Sequence, residues 1–144
     1  MTLSFGMEPD MPVKEVAIEF FEGMKDLPRC RKTIEKTAAE MGFTGKDKWG
    51  IVSAVFEACV NAITHGWKTP DKYARLTIRL YDDRLEAVVK DHGYGCIPSP
   101  EEDMPPPASR RGRGIPLMKK FMDKIEFDSS DGCKVILIKY LHGK

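Results

Sequence analysis

The sequence has no long hydrophobic run, no excess of one charge and no closely spaced cysteines, and each absence excludes a class of protein. No apolar stretch approaches the roughly 20 residues that a membrane-spanning helix needs, so we expect no membrane association. Lysine and arginine total 23 against 22 aspartates and glutamates, a formal net charge of +1. This balance gives no electrostatic reason to expect direct binding of nucleic acid. With 144 residues, 42% of them hydrophobic, the chain fits one globular domain.

The four cysteines are separated widely along the chain. Cys30, Cys59, Cys96 and Cys133 lack the short ligand spacing that closed structural zinc sites show. No secretory signal precedes them. We therefore expect reduced cysteines and a cytoplasmic location.

Hydrophobic periodicity predicts an α+β fold. Period-two alternation and helical spacing, bounded by glycine, proline and aspartate, separate the chain into short elements. The predicted strands are 13–21, 74–81, 85–91, 125–127 and 133–141, and the predicted helices are 26–42, 47–66 and 115–124. Residues 96–111 contain five of the ten prolines and predict a loop. This order favours a two-layer sandwich with helices on one face of a mixed, mostly antiparallel sheet.

The helix predicted over 47–66 carries an unusual carboxylate. Glu57 is the one charged residue between Trp49 and Gly66. Helical spacing places Glu57, Asn61 and His65 along one side, flanked by Ala54 and Ala58, with the large apolar residues opposite. A desolvated, unpaired carboxylate is costly, which favours a cavity holding water, a cation or substrate. The alternative is a glutamate that simply points to solvent, as isolated surface glutamates commonly do.

Two glycine-bearing segments follow. Asp91 comes directly after a strand and shares the apolar face of Leu85, Ala87 and Val89 by period two, so its carboxylate needs a donor such as an exocyclic amine. Gly93 and Gly95 permit close approach of a ligand, although an ordinary turn leaving the strand is the alternative. Residues 110–114, Arg-Arg-Gly-Arg-Gly, precede a helix and suit phosphate, with a solvated basic loop as the alternative.

The order of these segments resembles the histidine-kinase-type ATPases of the Bergerat fold (GHKL), and among them the short bacterial anti-sigma-factor serine kinases. Residues 57–66 (EACVNAITHG) are similar to their N box. Residues 91–95 (DHGYG) are similar to the first glycine box, and residues 112–118 (GRGIPLM) to the second. The resemblance spans about residues 13–141 and implies one histidine-kinase-like ATPase domain over 1–144, with an ATP lid at about 96–112.

The resemblance also implies a role for each matching residue. Glu57 would act as the general base, and Asn61 would coordinate a Mg²⁺ that bridges the phosphates of ATP. Asp91 would accept a hydrogen bond from the adenine amino group, with Gly93 and Gly95 allowing the purine to lie close. The phosphates would be held by Gly112, Arg113 and Gly114. Cys133 stands where the family commonly has a threonine that helps to hold adenine, and because a thiol is a weak donor, lower adenine affinity is expected.

The implied activity is transfer of the γ-phosphoryl group of ATP to a serine or threonine of an anti-sigma-factor antagonist. Members of this branch are usually homodimers that also sequester a sigma factor. The length of the chain favours this branch, because it leaves no room for a phosphoacceptor helix pair, a sensor or a transducer domain. Two alternatives remain at this point: a nucleotide-gated module that captures a partner with little catalysis, and a stand-alone ATPase unit of a signalling system.

Overall fold

The computed structural model describes residues 11–66, 74–92 and 114–141. Within these ranges the strands are β1 (Lys14–Glu19), β2 (Ala74–Leu80), β3 (Arg84–Asp91), β4 (Lys124–Asp128) and β5 (Cys133–Tyr140). The helices are α1 (Leu27–Met41), α2 (Gly45–Asn61) and α3 (Gly114–Phe121), with a short 3₁₀ turn at Gly23–Asp26 and a π-turn at Ala62–Gly66.

The five strands form one sheet in the order β1-β2-β3-β5-β4, and all four pairings are antiparallel. The register aligns Ala74 of β2 with Asp91 of β3, and Asp91 with Cys133 of β5. Asp91 therefore ends a central strand, with a neighbouring strand on each side. The predicted α+β class is confirmed. The sheet was predicted to be mixed and mostly antiparallel, and every pairing among the described strands is antiparallel.

The helices cover one face of this sheet, and α2 occupies the centre of the helical layer. It contacts α1, α3, β3 and β5. Leu76 and Ile78 of β2, Leu85 of β3 and Leu137 of β5 are at most 1% exposed. Burial on this scale supplies the main favourable free energy of a domain of this size.

The buried carboxylate just before α1 binds residues that precede it in the chain. The sequence predicts Asp26 at the helix start, and Leu27 with Pro28 indeed begins α1. The Asp26 carboxylate, however, accepts hydrogen bonds from the backbone N–H groups of Phe21 and Glu22, at 2.8 and 2.7 Å, and makes no capping bond to α1. Burial raises its pKa, but these bonds and Arg29 outweigh burial, so the pKa of Asp26 is lowered. Asp26 thereby fixes the turn between β1 and α1.

Two predicted helix ends differ from the structure. The helix predicted to continue to Gly66 ends at Asn61 and is followed by the π-turn. The π-turn keeps nearly the same residue spacing as an α-helix, so hydrophobic periodicity does not distinguish the two. The helix predicted to reach Lys124 ends at Phe121, and Lys124 already belongs to β4. The tertiary pairing of Lys124 with Ile138 of β5 takes the place of a further helical turn.

Gly50 of α2 allows α3 to pack closely. A Cβ atom at this position would lie 2.8 Å from Cδ1 and 3.2 Å from Cβ of Phe121. Overpacking of this kind costs about 1–3 kcal/mol, and alanine gains about 1 kcal/mol of helix propensity over glycine. We expect Gly50→Ala to lower the free energy of unfolding by about 1 kcal/mol, measured by urea denaturation.

The matched background for this prediction is Phe121→Ala. With the ring removed, adding Gly50→Ala is expected to stabilise the protein through helix propensity alone. An equal effect of Gly50→Ala in both backgrounds would show that the contact with Phe121 carries no strain.

Among the described residues, no helix combines the length and the apolar character that crossing a bilayer requires.

Candidate functional site

Glu57 and Asn61 lie four residues apart on α2 and are both partly buried. The helical repeat places them one turn apart on the same side, so the predicted pairing of a carboxylate with a carboxamide is present in the structure. The flanking Ala54 and Ala58, which the sequence assigned to the polar side, are instead buried at 0% and 1% exposure. Helices α1 and α3 both pack against α2, so the apolar arc of α2 is wider than the periodicity of one helix indicates.

The π-turn continues α2 directly after Asn61. It spans Ala62–Gly66 and contacts β2 and β3. Short π segments inside or beside α-helices are frequent at functional sites, because they leave backbone groups and side chains out of the regular helical register. His65 lies within this turn. The end of α2 that bears Asn61 therefore lies near β2 and β3. Ala74 begins β2, and Asp91 ends β3.

Partial burial perturbs the acidity of Glu57. Desolvation disfavours the charged carboxylate, and this raises the pKa of Glu57 above its ordinary value of 4.5. A carboxylate with a raised pKa is a stronger base than a solvated glutamate once it is ionised. Glu57 is thus partly buried and does not extend freely into solvent, and its place in a cavity stays a prediction.

A raised pKa predicts a shifted acid limb in the pH profile of any reaction that uses Glu57 as a base. The ionised form is required, so kcat/KM is expected to fall as the pH decreases. The midpoint of this fall is expected above pH 4.5. The measurement is a pH–rate profile of phosphotransfer, with ATP affinity measured at each pH as the control. A rate that stays constant down to pH 4.5 in the presence of constant affinity would contradict this use of Glu57.

Asp91 is buried at the end of β3 with 5% of its surface exposed. Leu85, Ala87 and Val89 of the same strand are buried with 0–2% exposure, so period two places the carboxylate on the helix-covered face, as predicted. A carboxylate at this depth is stable only with hydrogen-bonding or charged partners. Its position at a strand end, beneath the helical layer, suits recognition of a donor on a ligand.

Gly132 contacts the backbone of Asp91 so closely that no side chain fits. It has a φ of +77°, and a Cβ atom there would lie 2.1 Å from the carbonyl oxygen of Asp91 and 2.8 Å from Cα of His92. The contact is tertiary, and the one local signal for it is a glycine directly before a strand that pairs with β3.

The cysteines do not follow the sequence prediction. Cys133, opposite Asp91, is disulfide-bonded, whereas Cys30 and Cys59 are free. The expectation that all cysteines are reduced is wrong for Cys133. A bonded sulfur has no S–H, so the expected weak thiol donor toward adenine is absent. Cys30 and Cys59 hydrogen-bond to each other across α1 and α2, which lowers the pKa of Cys30 and, together with burial, raises that of Cys59.

Several predicted site residues lie outside the described part of the chain. These are Gly93, Gly95, the lid at 96–112, Gly112 and Arg113. Gly114 is the first residue of α3, so the second glycine box does lead into a helix, as predicted. Glu57, Asn61, Asp91, Gly114 and Cys133 are the predicted site residues within the described ranges.

A family model for the histidine kinase-like ATPase domain matches residues 24–140. The chain belongs to the histidine kinase-like ATPase family. The serine-protein kinase RsbW of Bacillus subtilis is 33% identical over 125 residues, covering 79% of this chain and 78% of its own length. The serine-protein kinase RsbW of Bacillus velezensis is 32% identical with the same coverage. This chain of the ATPase family is thus similar to relatives that are named as protein kinases.

A solved structure has the same fold. It is the crystal structure of the RsbU and RsbW domains of Rv1364c from Mycobacterium tuberculosis, which superposes with a TM-score of 0.66 at 18% sequence identity. The match covers 89% of this chain and 32% of that longer chain. It supports the assignment of the antiparallel sheet and its helical layer to the ATPase fold.

Proposed function

We propose that this protein is an anti-sigma factor and a Mg-ATP-dependent serine/threonine kinase that phosphorylates an anti-sigma-factor antagonist. The observation that carries this proposal is the pair Glu57 and Asn61 on one side of α2, with the pKa of Glu57 raised by desolvation. The protein belongs to the histidine kinase-like ATPase family, and its relatives from Bacillus are named serine-protein kinases. Its enzymatic class is therefore that of a protein kinase.

Glu57 supplies the base in this reaction. Its carboxylate accepts the proton of the attacking serine or threonine hydroxyl while the oxygen of that hydroxyl forms a bond to the γ-phosphorus of ATP. The bond from the γ-phosphorus to the bridging oxygen breaks, and ADP leaves. A partly buried carboxylate suits this step, because desolvation makes proton acceptance more favourable than it is for a glutamate in water.

Asn61 fits the expected role of magnesium ligand by its chemistry. Its side chain offers a neutral amide oxygen, and Mg²⁺ prefers oxygen ligands and is usually held by one or two protein groups together with substrate phosphates. Asn61 is partly buried one helical turn from Glu57, on the same side of α2. When bound, Mg²⁺ supplies neutralisation of the negative charge on the phosphates.

Asp91 selects the base of the nucleotide. Its buried carboxylate would accept a hydrogen bond from the exocyclic amine of adenine, a donor that guanine lacks at the equivalent ring position. Gly93 and Gly95 would leave room for the purine. Gly112, Arg113 and Gly114 would bind the phosphates through backbone N–H groups and a guanidinium.

The proposed partners are proteins. The antagonist presents the acceptor hydroxyl, and a sigma factor is sequestered by a homodimer of this chain in the cytoplasm. Both partner classes follow from the branch of the family that the sequence resembles. The near-neutral net charge of +1 is compatible with action on proteins rather than directly on nucleic acid.

A phosphotransfer assay tests the proposal. The purified protein is incubated with γ-labelled ATP, Mg²⁺ and a candidate antagonist protein, with the same antagonist carrying alanine in place of the target serine as the control. Label on the parent antagonist alone is expected. Nucleotide-dependent capture of the partner without labelled product would instead favour a nucleotide-gated binding module, and steady ATP hydrolysis without an acceptor would favour a stand-alone ATPase.

A further inference from the structure

The turn between β4 and β5 is packed against the end of β3 at the position of Asp91. Gly132 of this turn has no space for a Cβ atom, because the Asp91 carbonyl oxygen and the His92 Cα atom occupy that space. The location of the turn and the location of the Asp91 backbone are therefore coupled. A shift of one requires a shift of the other.

Lys90 ties this turn to β3. Its Nζ atom donates a hydrogen bond of 2.6 Å to the backbone carbonyl of Asp131 and lies 3.8 Å from the Asp131 carboxylate. Lys90 precedes Asp91 in the strand, so the two side chains point to opposite faces of the sheet. Lys90 consequently acts from the face without helices and stays away from the nucleotide side of the strand.

The turn is also organised from its other end. The carboxylate of Asp128 accepts hydrogen bonds from the backbone N–H of Ser130 at 3.0 Å and from its hydroxyl at 2.7 Å. These bonds shape residues 128–130 locally, but they do not reach β3. The Lys90 bond joins the turn to β3 from the exposed side.

We propose that Lys90 is a positioning residue for adenine recognition, because it holds the Asp131-Gly132 turn against β3 and thereby fixes the backbone of Asp91. This inference rests on the proposed role of Asp91 in binding the adenine amine. Lys90 does not touch the nucleotide in this scheme. It determines how well the Asp91 carboxylate is preorganised for its donor.

The neighbouring Lys134 provides a matched control. Lys134 lies directly opposite Lys90 in the pairing of β3 with β5, on the same face, and both line a cavity of about 160 Å³ with Asp128, Ser130 and Asp131. In the pairing of β4 with β5, Lys134 stands opposite Asp128 rather than at the turn between them. Replacing either lysine by methionine makes the same change of charge on the same surface, and only one replacement removes the bond to the Asp131 carbonyl.

The test measures the dissociation constants of ATP and GTP by calorimetry for the full chain and for Lys90→Met, Lys90→Arg and Lys134→Met. For Lys90→Met we expect ATP affinity to fall roughly three- to tenfold, since one charged hydrogen bond is lost, while GTP affinity stays constant. The preference for ATP over GTP then falls by the same factor. Lys90→Arg is expected to restore most of it, and Lys134→Met is expected to keep the parent preference.

Three results would overturn the inference. The first is an unchanged ATP-to-GTP ratio in Lys90→Met, and the second is an equal loss in Lys134→Met, which indicates a surface-charge effect. The third is an equal loss of ATP and GTP affinity together with a lowered melting temperature, which indicates general destabilisation. A parent chain that binds both nucleotides equally would instead overturn the adenine role of Asp91, and this inference with it.

Discussion

Glu57→Gln is expected to lower the rate of phosphotransfer to the antagonist by about 10²–10⁴-fold while ATP affinity changes little. Glutamine has nearly the same shape as glutamate but does not accept a proton from a hydroxyl at neutral pH. The change therefore removes the base and keeps the packing around α2. Single-turnover labelling of the antagonist measures the rate, and calorimetry measures the affinity for ATP.

The control for this prediction is Glu126→Gln, the same chemical change at an exposed position of β4. It is expected to leave the rate unchanged.

Thermal melting measures the stability of Glu57→Gln. Because burial raises the pKa of Glu57, ionised Glu57 destabilises the folded state at neutral pH, and replacement by glutamine removes this destabilisation. The stability gain is expected to shrink as the pH falls through the raised pKa of Glu57. Phosphotransfer by Glu57→Gln at the parent rate would contradict the assignment of the base.

Asp91→Asn is expected to weaken ATP binding by about 10- to 100-fold and to abolish the preference for ATP over GTP. A hydrogen bond to a charged group is worth about 1.5–3 kcal/mol, and a buried site that is built for one donor pattern rejects another strongly. Asp91 is 5% exposed, so water does not compensate for the lost negative charge. Titration calorimetry with ATP and GTP, each with and without Mg²⁺, measures both effects.

Asp82→Asn serves as the control, because Asp82 is exposed in the turn between β2 and β3, at the opposite end of these strands from Asp91. It is expected to bind ATP as the parent chain does. If Asp91→Asn retains both the affinity and the selectivity of the parent chain, the adenine contact lies elsewhere and the resemblance of residues 91–95 to the first glycine box is misleading.

Local periodicity was sufficient for most of the fold. The alternation from Leu85 to Asp91 predicted both the strand and the inward direction of its last carboxylate, because side-chain direction in a strand depends on the backbone alone. Likewise Gly42, with a φ of +108°, ends α1 where the sequence predicts, since a left-handed residue stops a helix locally. Features that depend on residues close together in the sequence can be predicted before the structure is known.

Features that depend on tertiary contacts could not be predicted from the sequence in this way. Ala54 and Ala58 are buried because two other helices enclose α2, and one helical pattern does not contain that information. The contact of Gly132 with Asp91 brings distant segments of the chain together. In the candidate site, Glu57, Asn61 and Asp91 lie on the elements that the sequence predicts, while the support around Asp91 emerged only from the fold.

The proposed chemistry is divided between the two layers of the molecule. Glu57 and Asn61 belong to a helix, whereas Asp91 belongs to the sheet and is held there by its neighbouring strands. Descendants of such a protein could diverge in the hydroxyl they modify through substitutions in the helical layer alone, while their preference for a purine is inherited unchanged with the sheet.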